Sequence, residues 1–482
     1  FAWFTDTAST GVNKIQAGNL DVELWYKNTK DSGFNKVIDN STKVFKDGTL
    51  WEPGHVEYVV LKISNAGNLA LKYKLGINIA SEVGSTNVDG NAFNLSDYIR
   101  FAVLDDDKSS LGRDDLVAAA TDSKLIRDGY TSVETPLYPK VEPVVDNQPN
   151  EKTVTLVVWM PKSVGNEANH MTGKEAPTID LGISVAATQY TYENDSYDNK
   201  YDKGAEYPIV AMDTLQELIN NAAEPVSAKL EGNIAGSLTV PQDKNVTLDL
   251  NGFTLTGGDS HAILNRGKLC IKDSSGDGKI VASKTNTSAL RNGDNAVCVV
   301  EGGTFSRDGA NGNTWHVVEN FGKMTFNGGK VVLKNGNGFA ITNGWNYIDP
   351  GASTTHAVME INALELDTDS SGIKNCRYGD LTVNDVTVTS TGYWALSNDY
   401  LGTAVINGGT LTSNSFKAVS NGAAMTVNGG TFNGTQGFFV QSYATSTVLN
   451  GGTYTNMNVN DLASYVGTGH TAQQSGTSVI IK

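Results

Sequence analysis

Two periodicities divide the chain. Over about the first 190 residues, apolar and polar positions alternate in short runs. Leu20, Val22 and Leu24 alternate with Asp21 and Glu23, and Val56, Tyr58 and Val60 lead into Leu61-Lys62-Ile63. Leu69, Leu71, Tyr73 and Leu75 alternate around Lys72 and Lys74. A period of two puts one side of a strand in a core and the other in water. Further strands are expected at 98–104, 153–160 and 179–187. Trp51-Glu52-Pro53-Gly54 and Asn65-Ala66-Gly67-Asn68 punctuate the runs as turns. Strands at this spacing predict a β-sandwich.

From about residue 228 a longer repeat takes over. Its clearest copies are Ile406-Asn407-Gly408-Gly409-Thr410-Leu411, Val427-Asn428-Gly429-Gly430-Thr431-Phe432 and Leu449-Asn450-Gly451-Gly452-Thr453-Tyr454. Looser copies contain Glu301-Gly302-Gly303 and Asn327-Gly328-Gly329. Adding Asn251, Lys272, Asn362 and Asn384 gives nine equivalent positions, separated by 21, 29, 26, 35, 22, 23, 21 and 22 residues. A period near 22 with longer excursions means one coil per repeat, with loops inserted on some coils.

Before each such turn comes a short strand with two inward positions: Leu269/Ile271, Met324/Phe326, Leu381/Val383, Ala404/Ile406 and Met425/Val427. The glycines are expected to supply positive-φ backbone at the bend. A second bend precedes each strand at Asn265, Asn320, Asn343, Asn375, Asn398 and Asn421. Asparagines at matching places in stacked coils can form a hydrogen-bonded ladder. The pattern is that of a parallel β-helix. Its resemblance to pectate-lyase-like solenoids implies a right hand. Nine coils at about 4.8 Å give a rod of about 43 Å.

Asp213-Thr214-Leu215-Gln216 opens a helix with a capping box, and Leu215, Leu218, Ile219 and Ala222 share one face. It is expected to end before Glu224-Pro225 and to cover the first raw edge of the solenoid. The tail from Asn460 is expected to close the other.

The first ten residues, Phe1-Ala2-Trp3-Phe4-Thr5-Asp6-Thr7-Ala8-Ser9-Thr10, carry three aromatic side chains among their first four. The chain opens on Phe1, which fits a processed mature product or a fragment. An apolar patch at a free end marks an interaction. Either the segment is the first strand of its own domain, or it is a donor strand that completes a neighbouring copy. Ten residues reach about 33 Å, enough to cross a sandwich.

Composition narrows the setting. The 482 residues are too many for one ordinary domain. Their 51 glycines and 11 prolines suit an all-β chain with tight turns. A net charge of −16 argues against nucleic acid and anionic membrane surfaces. No run of apolar residues is long enough for a membrane span. The three cysteines, Cys270, Cys298 and Cys376, read as free thiols, with Cys298 inward and Cys270 outward.

Several ordered blocks then form a specific likeness. They are Ala2-Trp3-Phe4-Thr5-Asp6-Thr7, Gln16-Ala17-Gly18-Asn19-Leu20-Asp21, Leu50-Trp51-Glu52-Pro53-Gly54 and Asn68-Leu69-Ala70-Leu71-Lys72-Tyr73. Later come Trp159-Met160-Pro161, Gly165-Asn166-Glu167-Ala168-Asn169-His170 and Ala187-Thr188-Gln189. Together they resemble the TasA/camelysin family of secreted proteins of Gram-positive bacteria, over residues 1 to about 190. The resemblance implies a jelly-roll-like sandwich, signal-peptide removal before Phe1, and assembly into extracellular biofilm fibres by donor-strand complementation.

The expected fold class is therefore all-β: an N-terminal jelly-roll-like β-sandwich followed by a right-handed parallel β-helix. The expected domains are a donor strand at 1–10, a sandwich at 11–205, a linker and capping helix at 206–227, and the β-helix with its C-terminal cap at 228–482. The donor-strand interface is assigned to Phe1, Ala2, Trp3, Phe4, Thr5 and Asp6.

Candidate chemistry is sparse. The six histidines, among them His55 and His170, form no paired metal-binding spacing such as HExxH, so the metallopeptidase label some camelysins carry finds no support here. The acidic run Asp105-Asp106-Asp107 with Asp114-Asp115 lacks the glycine and glutamate of an EF-hand loop. It reads as a solvated loop, with calcium as the alternative, also for Glu193, Asp195 and Asp198. No other cofactor is expected.

Asp367, Asp369, Asp380, Asp385 and Arg377 are the candidate set for glycan cleavage, and their spread over several coils reads as solvation instead. Trp394 and Phe339 read as an internal stack. Trp345 and Tyr347, in the longest coil beside Asp349-Pro350, are assigned as a surface contact to sugar or a neighbouring subunit.

The expectation is a non-enzymatic, secreted structural subunit that forms a homopolymer at the cell surface or in a biofilm matrix. Glycans or other matrix components are further partners. The alternative is a cell-surface glycan-binding or glycan-active β-helix protein.

Overall fold

The computed structural model describes residues 5–10, 21–38, 42–45, 51–142, 144–190, 207–309 and 312–482, with the backbone alone for residues 5–10. The chain forms two compact units. One comprises residues 1–215 with 230–236, the other residues 216–229 with 237–482.

The first unit is two antiparallel sheets around one core. One sheet runs Thr5–Thr10, Thr178–Gln189, Leu71–Val83, Tyr130–Thr131. The other runs Asn35–Lys36, Val22–Asn28, Val56–Asn65, Glu151–Trp159, Arg100–Asp105, Lys124–Leu125. The alternating positions place one set inward. Leu24, Leu61, Ile63 and Leu156 of the second sheet share a buried cluster with Leu75, Ile77, Ile183 and Val185 of the first. The near-continuous apolar run before Met160 has a separate cause. Val157 and Trp159 point to the opposite side, where Leu116 of the short helix Arg113–Ala119 covers them. That strand is buried on both faces, so its sequence loses the alternation.

The second unit is a parallel β-solenoid of about ten turns, one more than the repeat positions give. The extra turn is the first. Its strands Val226–Lys229 and Leu238–Val240 pair in parallel with Asn245–Asp249 and Ile263–Asn265. It carries no Asn-Gly-Gly signature, so the count misses it. Successive coils then stack strand on strand in a constant register. Ala404 lies on Leu381 and under Met425, and Ile406 on Val383 and under Val427. All five expected inward pairs are at most 3% exposed, which identifies them as core.

The two glycines of the turn are required for different reasons. Only the second has positive φ, at 98° in Gly409, 115° in Gly430 and 110° in Gly452. The first is a matter of space. A Cβ at Gly408, Gly429 or Gly451 would sit 2.7, 2.8 or 2.3 Å from the asparagine carbonyl one coil earlier.

The bend asparagines form the expected ladder, and Asn292 belongs to it as well. Each Nδ2 donates to the next Oδ1 from Asn265 through Asn292, Asn320, Asn343, Asn375 and Asn398 to Asn421, at 2.7–3.0 Å. All seven are essentially solvent-free. The backbone fixes which end of each amide is which. Oδ1 of Asn320 accepts from the Gly322 N–H at 3.2 Å, and its Nδ2 also donates to the carbonyl of Val358 at 3.0 Å. A second ladder runs along the exposed turns. Here Asn450, Asn428, Asn407, Asn384 and Asn362 each donate one coil back, ending on Asn327.

Both solenoid edges are closed by polar pairing. The helix Met212–Asn221 places Gln216 so that its amide pairs with both backbone groups of Thr239, at 2.8 and 2.9 Å. At the far end Ser478–Ile481 runs antiparallel to Gly452–Thr455, with Ala472–Ser475 outside it. No helix among the described residues is long and apolar enough to cross a membrane.

Candidate functional site

Two places in the molecule offer chemistry to a partner: a sheet edge in the first unit and one face of the solenoid in the second.

The sheet edge is the strand Thr178–Gln189. One side of it pairs with Leu71–Val83 over its whole length. The other side is completed by the N-terminal segment, running antiparallel from Thr5 opposite Thr188 to Thr10 opposite Ile183. Thr5 and Asp6 of the assigned interface therefore sit in a ladder, opposite Thr188 and Ala187 of the same chain. Phe1, Ala2, Trp3 and Phe4 lie outside the described residues. Beneath the ladder the strand contributes Ile183, Val185 and Ala187 to the core. Its edge is thus an apolar-backed row of backbone donors and acceptors, the form an added strand recognises.

The solenoid face is the outer side of its nine-strand sheet. One residue precedes each ladder asparagine on this outer side, giving a row through Leu264, Arg291, Glu319, Thr342, Lys374, Ser397 and Ser420, of which Glu319, Thr342, Ser397 and Ser420 are buried. Aromatic rings flank the row. Trp315 and His316 stand on one side. Tyr347 reaches them from the longest coil, stacked on His316 at 5.9 Å and 15° and 5.9 Å from Trp315. On the other side Trp345 meets Phe321 edge-on at 5.5 Å, and its backbone N–H donates to the Arg377 carbonyl at 3.1 Å. The assigned Trp345 is half-buried and Tyr347 is 69% exposed, so the second presents the larger contact surface.

Phe339 and Trp394 are not in the solenoid interior. Both are half-buried beside this row, Phe339 under the Lys374 ammonium at 4.6 Å and Trp394 edge-on to Tyr393 at 4.1 Å. The interior aromatic stack is Phe432 on Tyr454, 5.0 Å apart.

Electrostatics concentrate at the start of the row. Glu319 is buried, and its carboxylate accepts from the Ser288 hydroxyl, from Trp315 Nε1 at 3.1 Å and from Arg291 Nη1 at 3.4 Å. His261 Nδ1 accepts the Ser288 N–H at 2.8 Å, which leaves its ring proton on Nε2. Burial holds His261 below the ordinary histidine range, against the pull of Glu319. Burial likewise drives His316 down to about 4. Both rings are neutral at pH 7. Arg307, fully buried, donates to the Asn313 carbonyl at 3.1 Å and to Thr287 Oγ1 at 3.4 Å, while its Nε has no partner among the described residues. None of these residues was singled out as a site from the sequence. The available signal was positional: the residue before the bend asparagine is outward, and it is charged in the successive coils of Arg291 and Glu319.

The candidate carboxylates for glycan cleavage, read from the sequence as solvated, are not brought together. Asp367 pairs with Lys334 at 2.8 Å, and Asp369 accepts the Asn335 N–H at 2.7 Å. Asp380, on a different sheet, pairs with His356 at 3.0 Å. Asp385 is exposed on a turn, and Arg377 lies over Tyr400 at 5.3 Å. In the first unit Asp105 and Asp107 pair with Lys152 and Lys27 at 3.1 and 2.5 Å. Glu193, Asp195 and Asp198 lie outside the described residues. Among the described residues no three His, Cys, Asp or Glu side chains converge to hold a metal ion. Cys270 is half-buried and Cys298 buried, and both are free, as is Cys376, whose thiol burial pushes up to about 12.

No known family model, curated protein or solved structure matches this chain.

Proposed function

We propose that the protein is a structural subunit of an extracellular fibre, polymerising head to tail by insertion of its N-terminal strand into the sheet of the next subunit. The reading combines the TasA/camelysin resemblance of residues 1 to about 190 with a jelly-roll-like first unit. The solenoid, right-handed on this reading, is displayed as a side arm. The observation that carries it is the Thr178–Gln189 edge, whose outer side over Ile183 to Thr188 is paired, among the described residues, by nothing but the N-terminal segment. A strand that closes this edge within one chain can close it equally in the next, and a contact that does not return on itself makes a filament. The role is non-catalytic, with the carboxylates dispersed on separate partners, and it calls for secretion and for no cofactor.

The test is a pair of measurements. Electron microscopy of the purified chain is expected to show filaments, and deletion of residues 1–10 to leave folded monomers. Filaments from the deletion variant overturn the reading. Ser9 and Ser184 are register partners. Ser9→Cys with Ser184→Cys, oxidised after assembly, is expected to give a ladder of covalent multimers. Cross-linked monomers alone mean that the strand stays in its own sheet.

A second reading, a surface glycan-binding or glycan-active solenoid, is favoured by the exposed Tyr347 and the aromatic rings beside the outward row. Retention of the solenoid on a glycan array, lost in Tyr347→Ala, is its test.

A further inference from the structure

At the first coils of the same face lies a cleft of about 680 Å³ lined by Gln242, Ser260, His261, Arg266, Arg291 and the turn Gly293-Asp294-Asn295, with Leu264 as its apolar floor. We propose that it binds a hydroxyl-bearing small molecule through one oxyanion group, a carboxylate, sulfate or phosphate, held by Arg266 and Arg291.

The charges favour an anion there, although the chain as a whole carries −16. Arg266, Arg291 and the buried Arg307 outnumber Glu319 and Asp294. Glu319 is spoken for, since three donors already occupy its carboxylate. It anchors Arg291 from behind, while the Phe321 ring covers the guanidinium at 4.5 Å. A guanidinium held on one edge and one face offers its remaining N–H groups in a fixed fork, the arrangement that suits bidentate oxyanion binding.

Arg266 makes no side-chain hydrogen bond or ion pair among the described residues. It follows the ladder residue Asn265 and lies beside Gly293 on the next coil, where an added Cβ would come within 3.9 Å of its Cγ. His261 adds a third donor. Its Nδ1 is occupied by the Ser288 N–H, so Nε2–H is available to the cleft.

Size and lining extend the ligand beyond a bare ion. The volume falls within the roughly 300–1,000 Å³ of small-molecule sites. Gln242, Ser260, Asp294 and Asn295 supply donors and acceptors for hydroxyl groups. Asn295 is held at φ 62°, a left-handed conformation that persists where the surroundings impose it.

The inference is independent of the fibre reading, because no residue of 1–10 takes part. Isothermal titration calorimetry on the full chain, at constant ionic strength, tests it. The probes are glucose 6-phosphate, glucose 6-sulfate and glucuronate, with inorganic phosphate, inorganic sulfate and glucose as controls. At least one anionic sugar is expected to bind with 1:1 stoichiometry, at least tenfold tighter than every control. The three arms identify the oxyanion. Arg266→Gln, which breaks no hydrogen bond or ion pair among the described residues, is expected to weaken binding at least tenfold with an unchanged melting temperature. Arg291→Gln is expected to weaken it further. Absence of binding to all three sugars overturns the proposal, as does binding by Arg266→Gln equal to the parent. Inorganic ions that bind as tightly as the sugars overturn the ligand class.

Discussion

Replacing Asn343 by Asp tests whether the buried ladder is a structural spine or an incidental row. The side chains are nearly isosteric, so the change is electrical. Asn343 Nδ2 donates to Asn375 Oδ1 at 2.9 Å and to the carbonyls of Ala357 and Asp380 at 3.3 and 3.2 Å. An ionised carboxylate in its place would aim an acceptor at three acceptors, with no water to intervene. Burial of this kind raises a carboxyl pKa by up to about 3–5 units.

The sign follows from linkage. The folded pKa of the introduced carboxyl lies above the unfolded value of about 3.9, so the electrical penalty is absent below pH 4 and grows with rising pH until the folded pKa is reached. At about 1.36 kcal/mol per pH unit, the span from pH 4 to pH 7 costs about 4 kcal/mol. Lost hydrogen bonds add about 1–3 kcal/mol at every pH.

The control is Asn407→Asp in the exposed ladder, where water can solvate the charge. It is expected to cost less than about 0.5 kcal/mol. Urea unfolding by circular dichroism at pH 4, 5.5 and 7, read as variant minus parent, gives the dependence. Amide exchange in Val318–Asn320 and Ser371–Asn375 locates it. If Asn343→Asp matches Asn407→Asp, or its penalty does not change with pH, the ladder is not the spine described above.

Three further outcomes are expected. His316 is buried and held at about 4. Its folded pKa is below the unfolded value of about 6.5, so the solenoid loses about 3 kcal/mol as pH falls from 6.5 to 4, and His316→Phe flattens that loss in acid titrations. Glu82 in the first unit has the opposite sign. Burial raises it to about 6, although Ser96 donates both its N–H and its hydroxyl to the carboxylate. Stability there falls as pH rises from about 4.5 to 6, by about 2 kcal/mol, and Glu82→Gln removes the slope in urea titrations of that unit. Gly429→Ala places a Cβ 2.8 Å from the Asn407 carbonyl, and is expected to cost about 1–3 kcal/mol by chemical denaturation although its φ is ordinary.

The strands of both units were legible where burial is one-sided. Alternation located Val56–Asn65 and the inward pairs of the coils because each residue of the pattern meets either core or water. Strand ends were not legible. Leu71–Val83 extends eight residues beyond Leu75, where pairing with Thr178–Gln189 outweighs local propensity. The turn glycines were visible, but their division of labour was not, because the first glycine answers to a carbonyl about 22 residues away. The buried ladder was anticipated from spacing alone, save for Asn292. The cleft was the least legible feature. Glu319 bonds to Ser288, 31 residues earlier, and His261 to Ser288, 27 residues later. Such a cluster exists only once the coil register is known.

The two asparagine ladders have one more consequence. In the buried one every amide donates toward the C-terminal end, and in the exposed one every amide donates toward the N-terminal end. A peptide-type amide carries a dipole of about 3.5 D. A single aligned column would build an axial field that strengthens with every coil, as in a long helix. Over the coils that the two columns share, from Asn320 and Asn327 to Asn421 and Asn428, their amide dipoles point in opposite directions and offset each other. Along that stretch an added coil carrying both asparagines adds no net side-chain amide dipole.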